Sequence, residues 1–125
     1  MNEVMSPASL ATRNRLNELD AALKRLPQVP IHTDHVFHAG IYSRTIRIPA
    51  ETMMTNVHII IPTILFVSGH CFIYGEDGPV EYDGYHIIFG KPGRQNAFYA
   101  VSETVLTMCF ASNALTVQEA ERSST

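Results

Sequence analysis

The sequence is poor in charge, has no excess of positive charge, lacks any long apolar run and carries few cysteines. Only 17% of its 125 residues are charged, and the net charge is −3. A chain without a basic field has no general grip on a phosphate backbone, so nucleic acid is not an expected partner. No stretch approaches the roughly eighteen apolar residues of a membrane-spanning helix. The polar start has no signal-peptide core. The expected setting is therefore the cytoplasm. The two cysteines, Cys71 and Cys109, sit inside apolar runs. They are expected to be buried free thiols rather than a disulfide. Neither a Gly-rich phosphate loop nor a nucleophile elbow is visible. Gly75-Glu76-Asp77-Gly78 lacks the spaced oxygen ligands of a calcium loop and reads as a hairpin turn. Lys91-Pro92-Gly93-Arg94 reads as two solvated positive charges on a turn.

What is present suits one globular domain, since apolar residues make up 46% of the chain and its length can enclose a core. Residues 1–5 are expected to fray. Ser6-Pro7 reads as a helix start, with Ser as N-cap and Pro at the first helical position. Leu10, Leu16, Leu19, Leu23 and Leu26 then recur at helical spacing until Pro27 and Pro30. Burying four of these leucines against the rest of the chain or a second subunit would contribute on the order of 6–10 kcal/mol before entropy.

From about residue 35 the pattern becomes short apolar runs broken by turn residues, an all-β signature. Nine strands are expected: 35–39, 41–48, 53–61, 64–67, 70–74, 80–82, 85–89, 97–101 and 105–110. Ser68-Gly69 and Asp83-Gly84 count among the turns. Thr116-Val117-Gln118-Glu119 reads as a capping box opening a short final helix, with residues 122–125 disordered. The chain divides into a helix and arm (1–34), a barrel (35–111) and a tail (112–125).

Within the strand series, Asn56-Val57-His58 is followed by Pro62 and Gly69, and later by Gly93-Arg94-Gln95-Asn96. This spacing resembles the metal motifs of the cupin superfamily of RmlC-like barrels, G-x5-H-x-H-x3,4-E-x6-G and a second motif ending P-x-G-x2-H. Asn56 stands for the first histidine, Pro62 for the glutamate and Asn96 for the last histidine, so only His58 is retained. A closer resemblance is to small cupin-like proteins of bacteriophage genomes and prophages. It is carried by His35-Val-Phe-His-Ala-Gly-Ile-Tyr-Ser-Arg44, Ile48-Pro-Ala-Glu-Thr-Met-Met-Thr55, Val67-Ser-Gly69, Lys91-Pro-Gly93 and Glu103-Thr-Val-Leu-Thr107. The resemblance implies a cupin-like antiparallel β-barrel or jelly roll with an N-terminal amphipathic α-helix and a short C-terminal helix. It also implies a homodimer, a phage setting in the host cytoplasm or the virion, and phage structural or host proteins as partners. Many cupins bind iron or manganese through the motif that is broken here.

Two asparagine amides and one imidazole are a weak set for such metals. No cofactor is therefore expected, with His58, Asn56 and Asn96 as weak metal candidates and a divalent cation such as Fe or Mn as the alternative. His58 otherwise reads as a hydrogen-bonded histidine of the barrel interior. His32, His35 and His38 alternate faces on a strand and do not converge. Arg44 shares the apolar face of its strand with Tyr42, Ile46 and Ile48 and so should point inward. An interior guanidinium needs a carboxylate, carbonyls or an anionic ligand. Glu51, Glu81 and Glu103 are the candidate partners, which leaves a structural ion pair and an anion contact both open. The candidate ligand-binding set is Tyr42, Arg44, His58, His86, Asn96 and Tyr99. The first expectation is a non-catalytic barrel acting as a binding or assembly module. One alternative is a small-molecule binder holding an anion in the barrel, and another is a metal-dependent oxygenase or an isomerase with a rearranged site.

Overall fold

The fold is described from a computed structural model covering residues 3–125. Its elements are β1 (Glu3–Met5), α1 (Leu10–Leu23), β2 (His32–His38), β3 (Ile41–Ile48), β4 (Thr52–Thr55), β5 (Thr63–Tyr74), β6 (Val80–Gly90), β7 (Ala97–Ala100), β8 (Thr104–Ala111) and α2 (Val117–Ser124). Six strands pair in the order β1-β6-β5-β8-β3-β2, and β4 and β7 continue the sheet from the second half of β5. Every pairing is antiparallel except that of β1 with β6. This is the all-β barrel expected from the period-two apolar pattern.

Four expected strands are in fact two. Residues 64–67 and 70–74 form the single strand β5, and 80–82 with 85–89 form β6. Gly69 and Gly84, read as turns, face each other within the ladder. Both have positive φ, +140° and +93°, which only glycine adopts without strain. They bend the hairpin instead of ending it. A Cβ at Gly69 would lie 2.7 Å from the Glu103 carbonyl oxygen, so the bend is also a close backbone approach. Before it, β5 pairs with β8; after it, β5 pairs with β7. One strand thus serves both walls of the barrel.

Other expectations change with tertiary context. Glu3–Met5, expected to fray, forms a strand on β6. Of residues 53–61, only the start is strand, as β4. β2 begins at His32, ahead of the expected barrel boundary at 35. Helix α1 starts at Leu10, with Ser9 rather than Ser6 as N-cap; the Ser9 hydroxyl accepts from Thr12 N–H at 3.2 Å. Ser6 and Ser9 are instead drawn to the β5–β6 turn, where Asp77 accepts from Ser6 N–H and Oγ–H and Glu76 accepts from Ser9 N–H. The leucine stripe is not buried as a unit. Leu16 is buried and Leu19 and Leu23 are half-buried, but Leu10 and Leu26 are 70% and 58% exposed.

The core lies between the walls and includes Tyr42, Ile46, Ile48, Leu65, Val67, Cys71, Ile73, Ile88, Phe98, Leu106, Met108 and Phe110. Both cysteines are free, but only Cys71 is buried; Cys109 is half-exposed, in register with Ile64. Burial pushes the Cys71 thiol up to about 11. Thr116 caps α2 as expected, its Oγ1 accepting from Glu119 N–H, but Glu119 Oε2 reaches one residue past the N-cap and accepts from Leu115 N–H rather than from Thr116 N–H. Residues 122–124, expected to be disordered, complete this helix. Ala120 is fully buried in the core, and Ile60 N–H donates to the Ser124 carbonyl at 2.8 Å. No helix among the described residues is long and apolar enough to cross a membrane.

Candidate functional site

Strand β3 carries Arg44 on the same row as Tyr42, Ile46 and Ile48, which are all buried. The half-buried Arg44 lines an interior cavity of about 20 Å3, whose other walls include Ile46, Asn56, Leu65, Leu106 and Met108. Arg44 and Met108 also line a second space of about 240 Å3, bounded by Tyr42, Ile59 and Phe110 and by Glu121 and Ser124 of α2. Arg44 therefore stands between a small void and a mouth that α2 partly covers. Among the described residues, no carboxylate lies within 4 Å of its guanidinium. The candidate partners are engaged or placed elsewhere. Glu103 pairs with Arg47 at 3.6 Å and Glu81 with His70 at 2.6 Å, while Glu51 borders the groove between α1 and β4.

A second guanidinium lies deeper. Arg94, expected to be solvated, is 0% exposed. Its Nε–H donates to Thr63 Oγ1 at 3.0 Å, Nη1–H to Asn96 Oδ1 at 3.2 Å, and Nη2–H to the Met108 sulfur at 3.3 Å. All three acceptors are neutral, and no carboxylate among the described residues lies within 4 Å. Burial, and after it the charge of Arg44, lowers the Arg94 guanidinium to about 10; it stays protonated near neutral pH. Gly90 makes the room, since a Cβ there would collide with Thr63 Oγ1 and with Nε and Cδ of Arg94. The sequence did hold a signal for this residue. Arg94 is two positions before Asn96, and alternate residues of an extended chain share a side. If Asn96 faces inward, so does Arg94.

The residues at the degenerate motif do not fit a divalent cation. Asn96, 4% exposed, has its carbonyl oxygen held by Arg94 and its amide turned to the Tyr74 carbonyl at 3.4 Å. Asn56 meets Asn96 through its backbone N–H, 2.8 Å from the Asn96 carbonyl, and its side chain offers a neutral amide. Pro62 has no ligand atom. The guanidinium of Arg94 adds a full positive charge beside Asn96, which opposes a second cation. Among the described residues, no group of three or more His, Cys, Asp or Glu side chains is placed to hold a metal ion.

The sequence-derived set is thus only partly brought together. Tyr42 and Arg44 share the mouth, with Asn56 and Asn96 further in. Tyr42 is 1% exposed, and burial pushes its phenol above the ordinary value. Its hydroxyl meets His35 Nδ1 at 2.7 Å. His58 is half-buried beside Gly93, whose added Cβ would be 3.8 Å from His58 Nε2. His86 lies apart, on β6, between the Glu3 carboxylate at 2.9 Å and the Asp83 carbonyl at 2.8 Å. Tyr99 lines the groove between α1 and β4. Of the three arm histidines, His32 faces Asp34 at 3.1 Å and His38 pairs with Ile41. Met108 and the mouth residues of α2 were not singled out in the sequence.

No family model and no curated protein matches this chain. Solved structures do match it. An RmlC-like cupin family protein with a double-stranded β-helix fold, from Methanocaldococcus jannaschii, aligns at 12% identity and TM-score 0.56, covering 66% of this chain and 81% of that one. KdgF from Halomonas sp. aligns at 12% identity and TM-score 0.57, covering 71% of this chain and 86% of that one. A glycine-to-alanine mutant of salicylate 1,2-dioxygenase from Pseudoaminobacter salicylatoxidans aligns at 10% identity and TM-score 0.56, covering 81% of this chain but 33% of that one. These neighbours include enzymes, so the fold alone does not choose a function. At such identities the likeness establishes architecture, and that architecture is the cupin jelly roll.

Proposed function

We propose that the chain is a non-catalytic binding module whose barrel mouth receives an anionic small molecule, with Arg44 as its anchor. The observation that supports this most is the position of that guanidinium. It faces the interior on one side and the mouth on the other, with no carboxylate within 4 Å among the described residues. A partly desolvated guanidinium is a strong, bidentate site for carboxylate or phosphate oxygens. Tyr42 and Ser124 also line the mouth, with their hydroxyls bonded to His35 Nδ1 and to the Glu121 carbonyl. The metal-dependent alternative is disfavoured by the donor set and by Arg94. A metal-free isomerase would need a general base held by an acid at the site, whereas His86, paired with Glu3, is outside it. The test is a melting-temperature panel of sugar phosphates, nucleotides and small dicarboxylates on wild type and Arg44→Ala. At least one compound is expected to raise the wild-type midpoint by several degrees and to leave Arg44→Ala unmoved. A panel without effect on wild type removes the reading.

A second reading, self-association, is favoured by the outer face of the sheet. Val4, Ile64 and Phe89 are neighbours in register, with Phe66 and Ile87 beside them. Val4, Ile64, Ile87 and Phe89 are 37–44% exposed. A contiguous apolar face of this kind marks an interaction surface, and a second copy supplies a self-complementary partner around a two-fold axis. Membership of a phage particle is a further version of this reading, tested by co-purification with virions.

A further inference from the structure

Arg44 and Arg94 both neighbour Met108, which faces Arg44 across the β3–β8 ladder. Arg44 lines the 20 Å3 cavity together with Met108, and Arg94 donates to the Met108 sulfur. A guanidinium carries five N–H donors, of which Arg94 places three on neutral acceptors. Two positive charges thus act on one another in the interior, and among the described residues no carboxylate lies within 4 Å of either. The other acids pair elsewhere, Glu103 with Arg47, Glu81 with His70 and Glu3 with His86, while Glu121 lines the mouth with Arg44. Charge buried without a counter-charge is costly unless something else neutralises it. The apolar walls supplied by Ile46, Leu65, Phe98 and Leu106 lower the local dielectric and strengthen any electrostatic contact inside.

We propose that this interior cavity is a binding site for a compact monoanion, a halide or the carboxylate head of a small organic acid, held directly by Arg44 and drawn by the charge of Arg94 behind Met108. Size sets the class. A space of about 20 Å3 has room for about one water-sized particle. It is far smaller than the mouth, at about 240 Å3, so a halide or a carboxylate head suits it better than a bulkier tetrahedral phosphoryl or sulfate group, which would stop in the mouth. Asn56, which also lines the space, carries an amide whose N–H2 is a hydrogen-bond donor for an anion. The proposal rests on the reading of Arg44 as an anion anchor and extends it inward, replacing the cation of the motif by a fixed positive charge and its ligands by an exchangeable anion.

The test uses the full 125-residue chain, with circular dichroism to check the fold of each variant. Chloride binding is followed by the excess linewidth of the chloride NMR signal, with bromide, formate, acetate and sulfate added as competitors at matched ionic strength. Wild type is expected to give saturable broadening that bromide reverses and sulfate does not. Arg44→Met, at a half-buried position, is expected to bind chloride about tenfold more weakly or worse, the loss of one charge-assisted hydrogen bond. Arg94→Lys, which keeps the charge on another stem, is expected to retain binding better than Arg94→Met. Reversal by formate and acetate identifies a carboxylate head as an admissible occupant; reversal by bromide alone identifies a free halide. Absent or non-saturable broadening, or broadening unchanged in Arg44→Met, overturns the proposal. If an organic anion still stabilises wild type through Arg44 while chloride does not bind, the inner site fails and the proposed function stands. If chloride binds through Arg44 while no organic anion stabilises wild type, the inner site stands and the proposed function fails.

Discussion

At the scale of single residues, the interior is organised by a charge, that of Arg94, whose hydrogen-bond acceptors among the described residues are all neutral. Thr63 is 4% exposed and gives Arg94 its Nε acceptor. Thr63→Val removes that acceptor while keeping the volume, leaving a buried charged donor unmatched. Urea unfolding is expected to show a loss of about 1–3 kcal/mol. Arg94→Met, which removes the charge together with its need for partners, is expected to cost less or even to stabilise. Equal costs for the two variants would show that Arg94 is not held in this way. A pH dependence belongs to His86. The Asp83 carbonyl and the Glu3 carboxylate raise its imidazole above the ordinary value. A base raised in the folded state stabilises fully below its unfolded value, about 6.5, and loses that contribution as pH rises through the folded value. The melting-temperature difference between wild type and His86→Gln is therefore expected in weakly acid buffer and to vanish in alkaline buffer. The pair is partly exposed, with side chains 26% and 33% accessible, so its size stays below about 1 kcal/mol.

At the scale of elements, strand positions were legible where one face is buried and the other is wet, because alternation is a local signal. β3 and β8 match the expected segments closely for this reason. Glycine was ambiguous: Gly78 closes a real turn, its N–H donating to the Gly75 carbonyl at 3.1 Å, whereas Gly69 and Gly84 bend strands that continue. Local sequence does not separate these uses, since the deciding contact at Gly69 is a backbone thirty-four residues away, at Glu103. The leucines of α1 misled for a related reason. Periodicity shows which residues align, but how many are covered depends on what lies beneath, and α1 meets the barrel through polar contacts such as Thr55 with Asp20 and Gln95 with Asn17. The Thr116 cap was readable because it is local; that its helix covers the mouth was not. Thr116→Ala is expected to lower stability by about 1 kcal/mol. If α2 borders the binding site, the same variant also weakens the ligand found for Arg44; an unchanged affinity would place the ligand away from this helix.

At the scale of the whole molecule, the jelly roll was foreseeable from strand number and turn spacing, and the structural neighbours agree with it. The site was foreseeable only in part. Arg44 and Tyr42 declared themselves by sharing an apolar row, while Arg94 was hidden in a segment that looks like a surface turn. The outer sheet face gives the prediction proper to this scale. Light scattering is expected to find two chains per particle for wild type and one for Ile87→Glu, with the circular dichroism spectrum retained, because the substituted residue is 44% exposed and only an interface would feel the new charge. A monomeric wild type would end the self-association reading.

The burial of Arg94 has one more consequence. A charge carried on a covalent stem needs no delivery or loading step, resists chelators and competing ions, and, with its titration near 10, is not erased by ordinary swings around neutrality. The polarity of this interior is permanent from the moment the chain closes, and only what answers that polarity is free to come and go.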